Sequence, residues 1–385
     1  MIAFEFATAT EIVFGRGRSA ELPARARRFG TRALLVRGSQ RARLGELVSA
    51  LTAAGLELAE FAVVSEPTTD LVREAVELAR SADVELVLGI GGGSVIDAAK
   101  AVAGLAGNGG DPLDYLEVVG HGKQLERPSL PFIAVPTTSG TGSEVTKNAV
   151  LAAEVERVKV SLRSPFLLPR TALLDPELTH SVPPAVTAAT GLDALTQVIE
   201  PYVSNARGPL TDALCLEGMR RGARSLLRAY RDGDDADARE DLAVTSLFGG
   251  LALANAKLGA VHGFAGPLGG AFDAPHGALC ARLLPEVLGA NLAAVRARGA
   301  DDDLLGRYDV IAQTLTGRAA ARAEDGIEFV RELVEALAIP RLAAYGVRAT
   351  DFERLIEKAR AASSMKGNAI ALTRDELAGI LERAS

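Results

Sequence analysis

Short apolar runs that end in glycine or proline alternate with helical spacing through the first half of the chain. Arg32-Ala-Leu-Leu-Val-Arg37 runs into Gly38 and reads as a buried strand. Residues 56–64, 84–90, 131–136 and 171–175 have the same texture. Between them, residues 69–80 carry Leu71, Val72, Ala75, Val76 and Leu78 to one side, which predicts a helix. Strands alternating with helices predict a parallel sheet covered on both faces. After Pro183-Pro184 the pattern becomes long and Ala/Leu/Arg/Glu-rich, with helices predicted at 211–230, 238–258, 326–337 and 350–362 and no strand. The chain thus divides into an α/β domain, residues 1–178, and an all-helical domain, residues 179–385.

Composition narrows the partners. A 385-residue chain with 48% hydrophobic residues has ample core for two domains. Its net charge of −7 argues against nucleic acid or an anionic membrane as the main partner. Apolar runs such as Ala149-Val-Leu-Ala-Ala153 are too short to span a bilayer. The start, Met1-Ile-Ala-Phe-Glu-Phe6, shows no export pattern, so a cytoplasmic protein is expected. Cys215 and Cys280 are the only cysteines and make no disulfide framework. Both are expected to be small core residues.

The chemistry begins at two loops. The strand at 84–90 leads into Gly91, Gly92, Gly93 and Ser94, and then into a helix. Adjacent glycines let the backbone approach a ligand, and a helix start offers unpaired N–H groups and a positive dipole end. Together they form a cradle for pyrophosphate. The spacing is neither a GxGxxG pattern nor a P-loop. Ser94 and Asp97 have the spacing of a capping box. A second loop, Thr137-Thr-Ser-Gly-Thr-Gly-Ser-Glu144, leaves the strand at 131–136. Its hydroxyls lie at the carboxyl end of a parallel strand, where such sheets bind ligands.

These segments resemble the iron-containing (group III) alcohol dehydrogenase family. The resemblance rests on Gly91–Lys100, Pro136–Thr146, Leu174-Asp-Pro-Glu-Leu178, Thr190-Gly-Leu-Asp-Ala-Leu-Thr196 and the stretch from His262 to Gly277, in order and across most of the chain. It implies a Rossmann-like N-terminal domain, an all-α C-terminal domain, and a cleft holding NAD(P) and a metal, as in the dehydroquinate synthase-like two-domain fold. It also implies a homodimer and a small alcohol or carbonyl substrate. Gly91, Gly92, Gly93, Ser94 and Asp97 would serve the cofactor, with Thr137, Thr138 and Thr141 on phosphate, ribose or nicotinamide. Lys159 matches a family lysine near the adenosine ribose, or is a solvated strand charge. Family members that favour NAD often carry Asp at the end of the first strand of the nucleotide fold; here Gly38 and Ser39 stand there. With Arg37, Arg41 and Arg43 nearby, NADP(H) is admitted and slightly favoured.

The resemblance assigns a metal, Fe²⁺ or Zn²⁺, to Asp193, position 197, His262 and His276. Asp193 and position 197 are i and i+4, so they share a helix face. This chain has Gln197, a weaker donor than imidazole. Only four histidines exist; the other two, His121 and His180, lie where the family has no ligand. Gly266 stands where many members have another His, which enlarges the pocket and removes a proton relay. Three readings stay open: a metal held by Asp193, His262 and His276 with Gln197 weak or replaced by water; a metal-free site in which a histidine donates the proton; or a vestigial polar cluster. The expected activity is NAD(P)-linked interconversion of a small alcohol and its aldehyde or ketone, with Asp193, His262 and His276 catalytic. The alternatives are a metal-independent reductase of the maleylacetate reductase kind, which Gln197 favours, and a cyclase like dehydroquinate synthase. Asn148 could face the substrate or be a strand-edge residue.

Overall fold

The computed structural model describes residues 4–39, 44–117, 119–153, 158–298 and 302–385. The chain forms two compact units. One comprises Ala7–Thr138 and Gly142–Thr179; the other comprises His180–Ser385 together with Ser139–Thr141 and the first residues of the chain.

The first unit holds eight strands: β1 (Glu11–Phe14), β2 (Arg32–Arg37), β3 (Glu57–Ala62), β4 (Leu86–Gly91), β5 (Phe132–Pro136), β6 (Asn148–Ala153), β7 (Val158–Arg163) and β8 (Thr171–Leu174). Six form a parallel sheet in the order β1-β8-β5-β4-β2-β3. Its helices are α1 (Leu22–Ala26), α2 (Gly45–Ala53), α3 (Thr69–Ser81), α4 (Gly93–Asn108) and α5 (Pro112–Tyr115). Both sheet faces are buried, which explains the unbroken apolar runs. In β2, Leu34 and Val36 pack with α3 and α4, while Ala33 and Leu35 pack with α1 and α2. Helix α3 starts on Thr68, whose hydroxyl accepts from Leu71 N. It buries Val72, Ala75, Val76 and Ala79; the expected Leu71 and Leu78 sit half-buried at the edge of that stripe.

Strand order reverses between β2 and β4: the chain moves outward from β2 to β3, then returns to place β4 on the other side of β2. Ligands of open α/β sheets bind beyond the carboxyl ends of the strands at such a switch. Gly38 follows one of these strands and Gly92 the other. Two features were not apparent in the pattern: the short edge strand β1, and the antiparallel pair β6–β7, which stands apart from the main sheet.

Among its described residues the second unit has no strand; its α-helices are α6 (Pro184–Val203), α7 (Pro209–Arg231), α8 (Ala236–Asn255), α9 (Ala260–Ala271), α10 (His276–Arg298), α11 (Asp302–Thr316), α12 (Ala323–Ala336), α13 (Phe352–Ala361) and α14 (Arg374–Ala384). Helix α6 is the hub, buried on every side from Gly191 to Val203. Its Leu192, Leu195, Val198 and Ile199 share a core with Cys215 and Met219 of α7, Leu242 of α8 and Leu279 of α10. Helix α10 is long and apolar enough to cross a membrane, but most of it is buried inside the unit, as a core helix is. Polar groups on α6 therefore have no access to bulk water and need partners within the protein.

Candidate active site

Nucleotide loops come first, because the sheet places them. Thr137 N donates to Gly91 O at 2.9 Å, so the loops after β4 and β5 lie side by side. Helix α4 begins at Gly93 with Gly92 as N-cap, and no side chain caps it. Its first N–H groups are thus left for an external acceptor, as a pyrophosphate cradle requires. A side chain at Gly91 would collide with Val95 at 2.6 Å, which explains one of the three glycines.

The capping box expected of Ser94 and Asp97 does not form. Asp97 instead accepts from Ser143 Oγ and, at 3.0 Å, from Val150 N, tying α4 to β6. Through these bonds it supports the second loop. Lys100, fully buried on the same helix, donates to Thr146 Oγ1 at 2.8 Å and Asn148 O at 2.6 Å, and stands 3.5 Å from Asp97. Asn148 begins β6 and gives its carbonyl to this lysine. Burial lowers the Lys100 pKa and raises that of Asp97. Burial also lifts Glu144 to about 7.

Thr137 and Thr138 belong to this unit, whereas Thr141 groups with the helical one. Lys159 pairs with Glu66 at 3.0 Å. Beside β2, a side chain at Gly38 would meet nothing within 4 Å among the described residues, and Ser39 is exposed. Arg37 is engaged: it pairs with Glu60 at 3.0 Å and donates to Gly38 O. The neighbouring Arg41 and Arg43 lie outside the described residues.

In the helical unit, α6 presents Asp193, Gln197 and Glu200 at i, i+4 and i+7, along one buried face. Glu200 organises its neighbours. Its Oε2 accepts from His262 Nδ1 at 2.7 Å, and its Oε1 accepts from Val261 N at 2.7 Å. Asn368 Oδ1 takes the adjacent Ala260 N–H at 3.0 Å. The start of α9 is thereby capped by side chains distant in sequence. A Cβ at Gly259 would lie 2.7 Å from Glu200 Oε1 and 2.8 Å from Asn368 Oδ1, so only glycine allows this approach. The Glu200 bond leaves the proton of His262 on Nδ1 and its Nε2 lone pair free, as in carboxylate–histidine–metal arrangements.

That Nε2 lies 3.4 Å from Asp193 Oδ1, and His276 Nε2 lies 4.0 Å from the same oxygen. His276 opens α10, where a Cβ at Gly277 would fall 2.4 Å from Ala189 O; this close packing sets the ring beside α6. Cys280, one turn further on, has Sγ 3.6 Å from His276 Nε2. Donor atoms of Asp193, His262, His276 and Cys280 all lie within 4.8 Å of one another. Cys280, expected to be a core residue, is buried but belongs to this cluster. Cys215 is the core residue it was expected to be, its thiol pKa pushed up by burial. Gln197 donates its amide to Asp193 Oδ2 at 3.1 Å. Next to His262 on α9, a side chain at Gly266 would meet nothing within 4 Å.

The cluster has a place for a cation. Asp193 Oδ1, His262 Nε2 and Gln197 Oε1 are buried with no hydrogen-bond partner among the described residues. Each such group costs about 1–3 kcal/mol if left unsatisfied. Burial opposes ionisation of Asp193, but His262 and His276 outweigh it and hold the carboxyl below its ordinary value. Burial likewise opposes the His262 imidazolium, but Cys280, Asp193 and Glu200 outweigh that and hold its pKa well above the usual range. The interaction with Cys280, against the effect of burial, lifts His276 to about 8. Acidic groups and imidazoles thus converge in a largely buried site, and a divalent ion can replace the protons that otherwise hold such a group together. Neither Cys280 nor Glu200 is marked by the family pattern; each could have been found by helical spacing, one turn from His276 and two turns from Asp193.

Residues 9–176 match the family model for iron-containing alcohol dehydrogenase, and residues 187–385 match that for the C-terminal part of the Fe-containing alcohol dehydrogenase family. The chain belongs to the iron-containing alcohol dehydrogenase family. It is 37% identical to alcohol dehydrogenase 4 of Saccharomyces cerevisiae over 319 residues, 83% of this chain and 80% of that one. It is 33% identical to the NAD-dependent methanol dehydrogenase of Bacillus methanolicus, over 97% of each chain. Its structure matches that of a 1,3-propanediol oxidoreductase with a TM-score of 0.92 and 32% identity, over 100% of both chains. The protein is an enzyme, an NAD(P)-dependent oxidoreductase that interconverts alcohols and carbonyl compounds. The cyclase alternative finds no support among these relatives.

Proposed function

We propose that the chain is a metal-dependent dehydrogenase of small alcohols, working with NADH or NADPH in the reverse direction. One observation carries this reading: three buried atoms, Asp193 Oδ1, His262 Nε2 and Gln197 Oε1, have no hydrogen-bond partner among the described residues, and His262 Nε2 and His276 Nε2 lie 3.4 Å and 4.0 Å from Asp193 Oδ1. Asp193, His262 and His276 would hold the ion, and Gln197 would orient Asp193 through its amide. When bound, the ion supplies polarisation of the substrate oxygen, which lowers the barrier to hydride transfer. Glu200 fixes His262 in the tautomer that presents Nε2. The uncapped start of α4 supports pyrophosphate binding there, with Thr137 and Thr138 beside it. Relatives named for methanol and 1,3-propanediol support a small alcohol as substrate.

The absence of any described atom within 4 Å of a side chain at Gly38 supports acceptance of NADPH, while the engagement of Arg37 by Glu60 removes one reason to prefer it. Two free cysteines accord with a cytoplasmic enzyme, and a homodimer is proposed from the family alone. The metal-free reading rests on Gln197. Metal analysis of the purified protein, paired with aldehyde reduction before and after chelation, decides between them. Bound metal and activity that is lost on chelation and restored by the ion are expected. Full activity in chelated, metal-free protein would overturn the proposal in favour of the metal-independent reductase.

A further inference from the structure

We infer that Cys280, not Gln197, is the fourth protein ligand of this site, giving an Asp193–His262–His276–Cys280 set that suits Zn²⁺. The inference rests on the proposal that a metal binds here. Donors about 2.0–2.3 Å from a common tetrahedral zinc lie about 3.3–3.7 Å from one another. The spacings of 3.4 Å between His262 Nε2 and Asp193 Oδ1, and 3.6 Å between Cys280 Sγ and His276 Nε2, fall in that range. The 4.0 Å between His276 Nε2 and Asp193 Oδ1 needs a small contraction. Asp193 Oδ1 and His262 Nε2 are buried and unpartnered, so the same point is already short of a cation without reference to the thiol.

Gln197 is engaged through its amide nitrogen, while its Oε1 is buried with no hydrogen-bond partner among the described residues, so the test must separate an oxygen donor from a sulfur donor. Its Nε2 donates to Asp193 Oδ2, the carboxylate oxygen outside the donor cluster, and a group that hydrogen-bonds a ligand in this way orients it. Helical spacing allows the exchange: Cys280 follows His276 by one turn on α10, as Gln197 follows Asp193 by one turn on α6. On binding, the Cys280 thiol gives its proton to solvent and the thiolate takes the ion; no oxidant is involved. Soft thiolate with imidazole favours zinc over ferrous iron. Asp193, His262, His276 and Cys280 would hold the ion, and polarising a substrate oxygen would require a further coordination position.

The test is spectroscopic and does not depend on turnover. The full-length protein is stripped of metal and loaded with Co²⁺ for absorption, and with Zn²⁺ for X-ray absorption. A sulfur-to-cobalt charge-transfer band in the near ultraviolet and one Zn–S distance of about 2.3 Å are expected. Cys280→Ser should abolish both and weaken zinc binding by at least about tenfold. Gln197→Leu should keep both, and so should Cys215→Ser, because that thiol lies in the core of α7. Stoichiometric metal with only nitrogen and oxygen neighbours in the unmodified protein would overturn the inference while leaving the metal-dependent reading intact. No binding of either ion would overturn both. The unmodified protein gives this answer even if a variant fails to fold.

Discussion

Replacing Glu200 by Gln should uncouple the metal site from its support without opening a cavity. Glu200 is buried, and its two oxygens each accept one bond at 2.7 Å, from His262 Nδ1 and from Val261 N. Hydrogen bonds to a charged group contribute about 1.5–3 kcal/mol each. Gln is the same size but offers one acceptor and one donor. If its oxygen keeps the Val261 N–H, its NH₂ group faces His262 Nδ1, which must then become the acceptor. The imidazole proton moves to Nε2, the nitrogen that lies 3.4 Å from Asp193 Oδ1. A protonated Nε2 cannot bind a metal. Removing such an outer partner typically costs 10- to 100-fold in metal affinity. We expect a loss of about that size for Glu200→Gln, measured by competition with a chromophoric chelator, with kcat/KM falling in parallel at subsaturating metal. The Ala260 bond to Asn368 is untouched, so the start of α9 stays capped and the melting temperature should fall by only a few degrees. Metal affinity within about twofold of the unmodified enzyme would refute the role assigned to Glu200.

Two further predictions address the nucleotide-binding unit. Burial raises Glu144 from 4.5 to about 7, so the folded state holds this proton more tightly than the unfolded chain does, and about 3 kcal/mol of stability is lost as pH rises from 4.5 through 7. Glu144→Gln should therefore raise the melting temperature at pH 8 and change it little at pH 4.5, with Lys100 and Asp97 as the charged neighbours that moderate the gain; an equal effect at both pH values would contradict this. Gly38→Asp adds a carboxylate in open space at the end of β2, and a charge repulsion of about 1–4 kcal/mol against a 2′-phosphate should shift the NADH-to-NADPH ratio of kcat/KM at least about tenfold toward NADH. An unchanged ratio would show that the adenosine ribose does not lie there.

What the chain reveals on its own follows from periodicity. The strands β2, β4 and β5 were legible because both faces are buried, and the loops after β4 and β5 because glycines and hydroxyls gather there. The pair β6–β7 was not, because its stability comes from packing on α4 through Ala149, Leu151 and Leu162 rather than from local pattern. The capping box failed for a tertiary reason: Asp97 finds better partners in Ser143 and the Val150 N–H than in the helix start. Asp193, His262 and His276 were placed together by family resemblance alone. Periodicity groups residues within one helix, and nothing local to α9 or α10 indicates that they meet at α6.

Gln197 and Cys280 make sense as one change rather than two. An amide at 197 in place of an imidazole removes a neutral nitrogen donor, and its NH₂ group donates to Asp193 Oδ2 at 3.1 Å. With Asp193, His262 and His276 alone the ion would have three protein donors. With Cys280 it again has four. The replacement donor is anionic, so the ligand set carries two negative charges instead of one and neutralises a divalent ion completely. A neutral site costs less to bury at a point sealed by α6 and α10, where an uncompensated charge costs several kcal/mol. It also withdraws less electron density from a substrate oxygen, so the same exchange that strengthens zinc retention weakens the Lewis acid. Gly266 bears on the same balance. With open space beside His262 among the described residues, no second histidine there and His276 held by the ion, proton transfer would fall to water.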